Sequence, residues 1–147
     1  MTTPLPSGDW IRAISIKQPW TACILAGAKT VENRSRNQWP WRGLVLLHAS
    51  QNLDRPALRH PLVATTVGGR ELVTGAVVGV ARLINCHRDA DGAPPCTAWS
   101  EPGAFHLDLR DVQELALPVP ALGRLGLWKP SEELLGQVLQ QLPDLRP

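Results

Sequence analysis

The stretch ISIKQPWTACILAGAKTVENRSR, residues 14–36, decides the fold near the amino end of the chain. Apolar residues at alternating positions of Trp10–Ile16 predict a short strand that is buried on both faces. Pro19 suits the first turn of a helix, and Gly27 suits the left-handed position after the last turn. The sequence therefore predicts a strand that is followed by a two-turn helix over Trp20–Ala26.

Outward from this stretch, the chain has the pattern of a β-rich domain. A strand is predicted at Thr30–Ser35 and another, buried on both faces, at Gly43–Ala49. Leu72–Asn85 is long enough to be one bent strand, with Gly75 and Gly79 at points of curvature. The remaining predictions are a loop at 88–103, strands at 104–109, 112–117 and 125–129, and short helices at 52–60 and after Ser131. The predicted fold class is α+β, a mixed β-barrel of about five to seven strands with short flanking helices.

The composition indicates one globular domain. Of 147 residues, 44% are hydrophobic and 19% are charged, which gives enough apolar surface for a single core. Residues 1–9 are predicted to be a flexible lead-in because they contain two prolines and a glycine, which leaves 10–147 as the domain. No apolar run approaches the roughly 20 residues that cross a bilayer, and the amino end lacks a leader pattern. The sequence thus predicts no membrane contact and a cytoplasmic location.

The cysteines predict neither a disulfide framework nor a metal site. Cys23, Cys86 and Cys96 are irregularly spaced and form no Cys-x-x-Cys pair. Cys86 and His87 with the distant Cys96 match no standard spacing of a structural zinc site. The sequence therefore predicts reduced thiols, no metal and no cofactor.

Charge is distributed unevenly along the chain. Residues 1–60 carry a net charge of +5 and the remainder carries −3, although the whole chain has only +2. A basic part that faces a mildly acidic part can attract phosphate, and solvated surface charge can produce the same count.

The spacing Gly27-x-Lys29-x-x-Glu32-x-Arg34, preceded by Gln18-Pro19-Trp20, resembles the ASCH (activating signal cointegrator-1 homology) family. The resemblance covers residues 14–49 well and the rest more loosely, with Gly126-Leu-Trp-Lys129 similar to the closing segment of some members. It implies a PUA-like barrel with a cleft for nucleic acids or nucleotide-like molecules. Relatives are linked to RNA or DNA binding, RNA cleavage and hydrolysis of acetylated cytidine. In the last group the lysine matches Lys29, but a threonine stands where this chain has Glu32.

Elementary geometry places the charged side chains of this motif together. Glu32 and Arg34 point to the same face of the predicted strand, and Lys29 lies at its entrance. The group can hold a phosphate or a base edge, or it can be an ion pair that anchors the helix. Lys17 and Gln18 precede the helix, where free backbone amides can face an anion; alternatively, Lys17 points to solvent and Gln18 caps the helix.

Four of the six tryptophans lie within the first 41 residues, among the basic side chains. Trp10 and Trp20 are predicted to belong to the core, whereas Trp39 and Trp41 flank Pro40 in a loop and are candidates for stacking on bases. His48 and His106 are interpreted as hydrogen-bonded core residues, and Glu101 is a candidate second carboxylate.

The predicted function is binding of RNA, single-stranded DNA or a nucleotide-like molecule. The alternatives are a hydrolase of a modified nucleoside such as N4-acetylcytidine, or a ribonuclease, with Glu32 as general base and Lys29 stabilising the developing anion. A third alternative is a protein-interaction module that uses the final helix. Oligomeric state and base preference stay open. The predicted ligand-binding residues are Lys17, Gln18, Pro19, Trp20, Lys29, Glu32, Arg34, Arg36, Trp39, Trp41 and Arg42.

Overall fold

A computed structural model describes residues 9–36 and 39–147. The predicted lead-in lies, apart from its last residue, outside the described residues. Within them the strands are β1 Ile11–Gln18, β2 Val31–Arg34, β3 Gly43–Leu53, β4 Ala76–His87, β5 Phe105–Pro120 and β6 Leu127–Trp128. The helices are α1 Trp20–Leu25, α2 Pro61–Val67 and α3 Glu132–Gln141, and a 3-10 helix spans Pro56–Arg59. Among the described residues, no helix has the length and hydropathy that a bilayer span requires.

The strands form one mixed sheet in the order β2-β5-β4-β3-β1-β6. β1 and β3 are parallel, and the other neighbours are antiparallel. The sheet curls into a half-barrel, which confirms the predicted α+β class and the predicted number of strands. The two edge strands are β2 and β6, so the half-barrel has an open side.

Alternation along β1 and β3 explains why both strands are apolar on both faces. Ile11 and Ala13 join Leu44 and Leu46 in one buried cluster, which α3 covers. Their neighbours in sequence point the other way: Ile14, Ile16, Val45 and Leu47 form a second cluster with Ile24 of α1. The sheet is therefore buried on both sides along these two central strands.

The final helix has the predicted cap and the predicted apolar stripe. The Ser131 hydroxyl accepts a hydrogen bond from the Leu134 amide at 3.1 Å, and two glutamates occupy the first turn. Leu134, Leu135 and Val138 are buried against the sheet. This apolar stripe is already packed within the domain, so it is not available as the contact surface that the protein-interaction alternative requires.

Two strands predicted at 104–109 and 112–117 are one strand, β5, of 16 residues. The polar pair Arg110-Asp111 suggested a break, but Asp111 continues the strand with a φ of 55°. Aspartate tolerates this left-handed conformation better than most residues do. The β4–β5 ladder shifts register between Val80 and Arg82, opposite this point, and then continues.

The region between β3 and β4 also differs from the prediction. β3 continues to Leu53, and the helix predicted at 52–60 is only the 3-10 helix Pro56–Arg59. The sequence reading missed α2, which begins at Pro61 because the His60 side chain accepts a hydrogen bond from the Leu62 amide at 3.2 Å. Proline at the first helical position is favourable, whereas histidine is an uncommon cap, and this made the start of α2 hard to recognise.

Candidate functional site

A cleft of about 550 Å³ lies at the open side of the half-barrel. Its walls come from β1, β2, the loop 98–101 and the segment just before β6. The cleft is here because β2 and β6 are the edges of the sheet, so side chains between them are not covered by a further strand. Predicted site residues on its surface are Lys17, Trp20, Lys29, Glu32 and Arg34.

A row of three charged groups lies along the wall that β2 provides. The Lys29 ammonium is 3.7 Å from Glu32 Oε1, and Arg34 Nη2 is 3.0 Å from Glu32 Oε2. The predicted same-face placement of Glu32 and Arg34 is thus observed. We call Lys29, Glu32 and Arg34 the charged triad. Its order of cation, carboxylate and cation offers a ligand donors on either side of an acceptor.

Lys29 is the most deeply placed member of the charged triad. Its side chain is 2% exposed, and its ammonium group also donates to the Val31 carbonyl oxygen. Burial lowers the pKa of Lys29 below its usual value, and the nearby Glu32 carboxylate opposes that shift. The charged form of Lys29 is therefore held at a desolvation cost, which a second anion in the cleft would reduce.

Arg34 connects the charged triad to the strands around it. Its Nη2 also donates to the Ser15 carbonyl oxygen on β1 at 2.9 Å, and its guanidinium lies 5.6 Å from the centre of the Trp39 ring. Its buried Nε has no hydrogen-bond partner among the described residues. An unsatisfied buried donor is unusual in a folded protein, and a bound ligand is one way to satisfy it.

A more open groove of about 1180 Å³ adjoins the cleft. The cleft and the groove share Arg34, Leu125 and Gly126, so they form one depression with Arg34 at the junction. Arg36, Trp39 and Trp41, all predicted from sequence, line the groove together with Arg12. The Arg12 guanidinium stacks over the Trp41 ring at 4.4 Å.

The indoles at this depression are held by hydrogen bonds at their edges. Trp39 Nε1 donates to the Arg36 carbonyl oxygen at 3.3 Å, and Trp41 Nε1 donates to that of Leu44 at 3.2 Å. Trp20, predicted to belong to the core, is half-buried, and its Nε1 donates to Asp54 Oδ2 at 3.0 Å. A cation also lies over one face of each ring, 4.4 Å from the centre of Trp41 and 5.6 Å from those of Trp39 and Trp20, so a base would have to stack on the other face.

Three residues of the predicted set, Gln18, Pro19 and Arg42, line neither the cleft nor the groove. Gln18 is 2% exposed; its Oε1 accepts from the Ala22 amide at 2.9 Å, and its Nε2 donates to the Val73 carbonyl. The Gln18 side chain thus already accepts the hydrogen bond of a backbone amide at the start of α1. This amide is therefore not free to bind an anion. Pro19 is buried, and Arg42 donates to the carbonyls of Trp39 and Trp41 and so holds their loop.

Several residues at the cleft were not assigned to it from the sequence. These residues are Trp99, Asn33 and Arg124, whereas Glu101, which also lines the cleft, is the candidate second carboxylate of the sequence analysis. Asn33 joins the loop to β2, because its amide donates to the Trp99 carbonyl at 2.9 Å and its Oδ1 accepts from the Glu101 amide at 3.0 Å. Loop composition gives no signal for such contacts, which depend on where the loop folds back.

Two further residues behave as the sequence predicted. His48 is 1% exposed and bonds through Nε2 to the Ala121 carbonyl at 2.8 Å, so it is a core histidine. Trp10 packs against the cluster beneath α3.

No protein-family model and no curated protein sequence matches the chain. Among solved structures, the chain is similar to the ASCH protein from Zymomonas mobilis, with 16% identity and a TM-score of 0.57 over 89% of this chain and 94% of that one. Two mutant forms of that protein give 18% identity and a TM-score of 0.59 over 89% and 97%, and 17% and 0.60 over 92% and 98%. These matches confirm the ASCH fold that the resemblance implied, and at this identity they show the fold alone.

Proposed function

We propose that the protein binds single-stranded nucleic acid, RNA or DNA, in the cleft and the adjoining groove. The observation that carries the proposal is that the cleft and the groove are continuous through Arg34. Cations and indoles therefore lie on one open surface. The cations on this surface are Arg12, Lys17, Lys29, Arg34, Arg36 and Arg124, and the indoles are Trp20, Trp39, Trp41 and Trp99.

The two classes of side chain match the two parts of a nucleotide strand. Lysine and arginine neutralise phosphates and release counterions, which gives affinity without sequence preference. Indole faces stack on bases at about 1–3 kcal/mol per base, and every base has a face to offer. A nucleotide strand carries both phosphates and bases, and it therefore suits a depression that is lined by both cations and aromatic rings.

The charged triad supports the proposal that a base binds in the cleft. Both oxygens of Glu32 are already paired with cations, so the carboxylate is presented as a fixed acceptor between two donors. A carboxylate can accept from an exocyclic amino group such as that of cytosine, and a guanidinium can donate to a base edge. This arrangement favours recognition of a base over use of Glu32 as a free general base.

The proposal is tested by titrating labelled twelve-residue oligouridine and oligothymidine with the protein and measuring fluorescence anisotropy at several salt concentrations. The dissociation constant should rise steeply with salt, because phosphate contacts release counterions. Arg36→Ala should weaken both ligands and reduce the salt slope by about 1.

The matched control is Arg110→Ala, which removes an exposed arginine from the β4–β5 side of the sheet, outside both the cleft and the groove. It should leave the affinity and the salt slope unchanged. Absence of binding at low salt, or equal losses in the Arg36 and Arg110 variants, would refute the proposal.

A second candidate function, hydrolysis of a modified nucleoside, is favoured by one observation. The buried Lys29, with its lowered pKa, lies beside Glu32 in a cleft of about 550 Å³, a size that suits a small molecule. Incubation with N4-acetylcytidine should then release cytidine, and Glu32→Gln should abolish the release. No product at high protein concentration excludes this candidate, and an intact labelled RNA after the same incubation excludes a ribonuclease.

A further inference from the structure

A second group of reactive side chains lies at the far end of the β4–β5 ladder. His87 ends β4 and is the register partner of His106 on β5, while Asp89 and Cys96 lie in the loop between the two strands. One ligand atom from each residue, an imidazole nitrogen, a carboxylate oxygen or a thiol sulfur, lies within 4.8 Å of all the others. None of the four residues lines the cleft or the groove.

Three contacts within this group have the spacing of neighbouring ligands in a tetrahedral coordination shell. His87 Nε2 is 3.3 Å from Asp89 Oδ1, His106 Nδ1 is 3.6 Å from Asp89 Oδ2, and Cys96 Sγ is 3.5 Å from His106 Nδ1. Zinc bonds of usual length at tetrahedral angles place neighbouring nitrogen, oxygen and sulfur ligands about 3.3–3.6 Å apart. The other pairs of ligand atoms lie within 4.8 Å of one another, so the side chains would close in further when a zinc ion binds among them.

Hydrogen bonds on the outer side of both imidazoles orient their free nitrogens toward the same point. His106 Nε2 donates to the Glu101 carbonyl at 2.9 Å, so Nδ1 is the nitrogen that faces Asp89 and Cys96. His87 Nδ1 lies 2.9 Å from Asp108 Oδ2, so Nε2 is the nitrogen that faces Asp89. Carboxylate and carbonyl partners of this kind accompany the histidine ligands of zinc.

The Asp89 carboxylate lies close to one nitrogen of each ring, 3.3 Å from His87 Nε2 and 3.6 Å from His106 Nδ1. Its Oδ2 also accepts a hydrogen bond from the Cys96 amide at 3.1 Å, which holds the carboxylate in this position. A metal ion between these atoms would bind the carboxylate and both imidazoles at once.

We propose that His87, Asp89, Cys96 and His106 form a zinc site. Two imidazoles, a thiolate and a carboxylate suit zinc, whereas calcium and magnesium take oxygen ligands almost exclusively. The Cys96 thiol gives up its proton to solvent when the sulfur–zinc bond forms. Four protein ligands complete the tetrahedron, so the site is structural.

The zinc ion would hold in place the loop that forms one wall of the cleft. The Cys96 sulfur is 3.3 Å from Ser100 Oγ. The residues on either side of Ser100, Trp99 and Glu101, are hydrogen-bonded through their backbone to Asn33 of β2. The ion would therefore fix one end of the loop to β4 and β5, while the hydrogen bonds of Asn33 fix the other end of the loop to β2. This inference does not depend on what the cleft binds.

The proposal is tested on full-length protein that has been treated with a chelator and shown by circular dichroism to be folded. Titration with Co²⁺ should produce the visible bands of tetrahedral cobalt and a thiolate-to-cobalt charge-transfer band. About one equivalent of Zn²⁺ per chain should then displace the cobalt, and the zinc-loaded protein should melt at a higher temperature.

The key variant is Cys96→Ser, because Cys96 is exposed and its replacement should not disturb the core. It should abolish the charge-transfer band and weaken zinc binding at least about tenfold, while Asp108→Asn should weaken it about 10–100-fold by releasing the His87 ring. The matched controls are Asp91→Asn in the same loop and Cys86→Ala, which should leave both quantities unchanged.

Alkylation of Cys96 gives a second readout. Zinc should slow the reaction of Cys96 with iodoacetamide in the wild-type protein, because the sulfur becomes a ligand. The proposal is overturned if the folded wild-type protein takes up no stoichiometric zinc. It is equally overturned if uptake is the same in Cys96→Ser, or if zinc leaves the alkylation rate of Cys96 unchanged.

Discussion

The layer beneath α3 and the wall of the cleft are both buried, but they are buried with opposite chemistry. Beneath α3, Leu135 and Val138 pack on Leu44 and Leu46 of the sheet. At the cleft, the Lys29 side chain is 2% exposed and is paired with the carboxylate of Glu32, whose side chain is 10% exposed. The first layer is apolar, and the second places ionised groups where water is scarce.

The difference shows which layer stabilises the fold. Apolar burial contributes about 25 cal/mol per Å² of surface removed from water. Burying an ion pair has a desolvation cost that the attraction between the partners repays only in part. We therefore expect the layer beneath α3 to supply most of the net stability. The intact charged triad should add little net stability, although removing one partner leaves a buried charge unpaired, and four changes test this division.

The largest effect is expected from Leu135→Ala, which removes a side chain that is 4% exposed in the layer beneath α3. The free energy of unfolding should fall by about 2–5 kcal/mol, because a buried cavity is left behind. Urea denaturation measures this change. The oligonucleotide dissociation constant of the folded variant should stay the same.

The matched control in the same helix is Gln137→Ala, an exposed position where a change within about 0.5 kcal/mol is expected. A loss of affinity in Leu135→Ala that is as large as its loss of stability would break the division between the two layers.

The next effect is expected from Glu32→Gln, which leaves Lys29 and Arg34 without their shared carboxylate. The loss of stability should be on the order of 3 kcal/mol, because the substitution leaves the buried ammonium group of Lys29 without its carboxylate partner. In the Glu32→Gln background, Lys29→Met should recover part of that loss, since the unpaired ammonium charge is then removed. A double-mutant cycle by urea denaturation measures this coupling, and additive effects would show that the pair is not energetically linked.

A smaller effect is expected from pH. The pKa of Lys29 is lower in the folded protein than its usual 10.5, so between the two values the unfolded chain binds more protons. Stability of the wild-type protein relative to Lys29→Met should therefore rise as the pH increases through this alkaline window, and it should be constant below it. Urea denaturation of both proteins from neutral to alkaline pH measures the difference. Parallel curves would contradict the assignment of a buried, charged Lys29.

The smallest effect is expected from Trp39→Phe in the groove. A phenyl ring still stacks on a base, so the affinity for oligouridine should fall by less than about 1 kcal/mol, whereas Trp39→Ala should lose about 1–3 kcal/mol. Anisotropy titrations at fixed salt compare the two variants. If they bind equally well, Trp39 is not a stacking platform and the proposed ligand surface is smaller than the groove.

Local rules predicted the regular elements where one signal was strong. Gly27 follows α1 with a φ of 85°, and Ser131 caps α3, as the sequence indicated. The same rules placed Glu32 and Arg34 on one face of β2, because alternation along a strand depends only on the chain itself. They failed at Arg110-Asp111, where the pairing with β4 carries the strand past a polar break.

The sequence by itself thus determined the fold class, most of the elements and the charged motif, since periodicity, capping and turn chemistry act over a few residues. Only the tertiary structure decided that the motif faces an open edge of the sheet and that Gln18 turns inward to cap a helix. It alone also brought His87, Asp89, Cys96 and His106 together, because a strand register and a folded loop bring close residues that lie up to 19 positions apart in the chain. Spacing rules for metal sites describe ligands on one turn, and they cannot anticipate a site that two strands and their loop assemble.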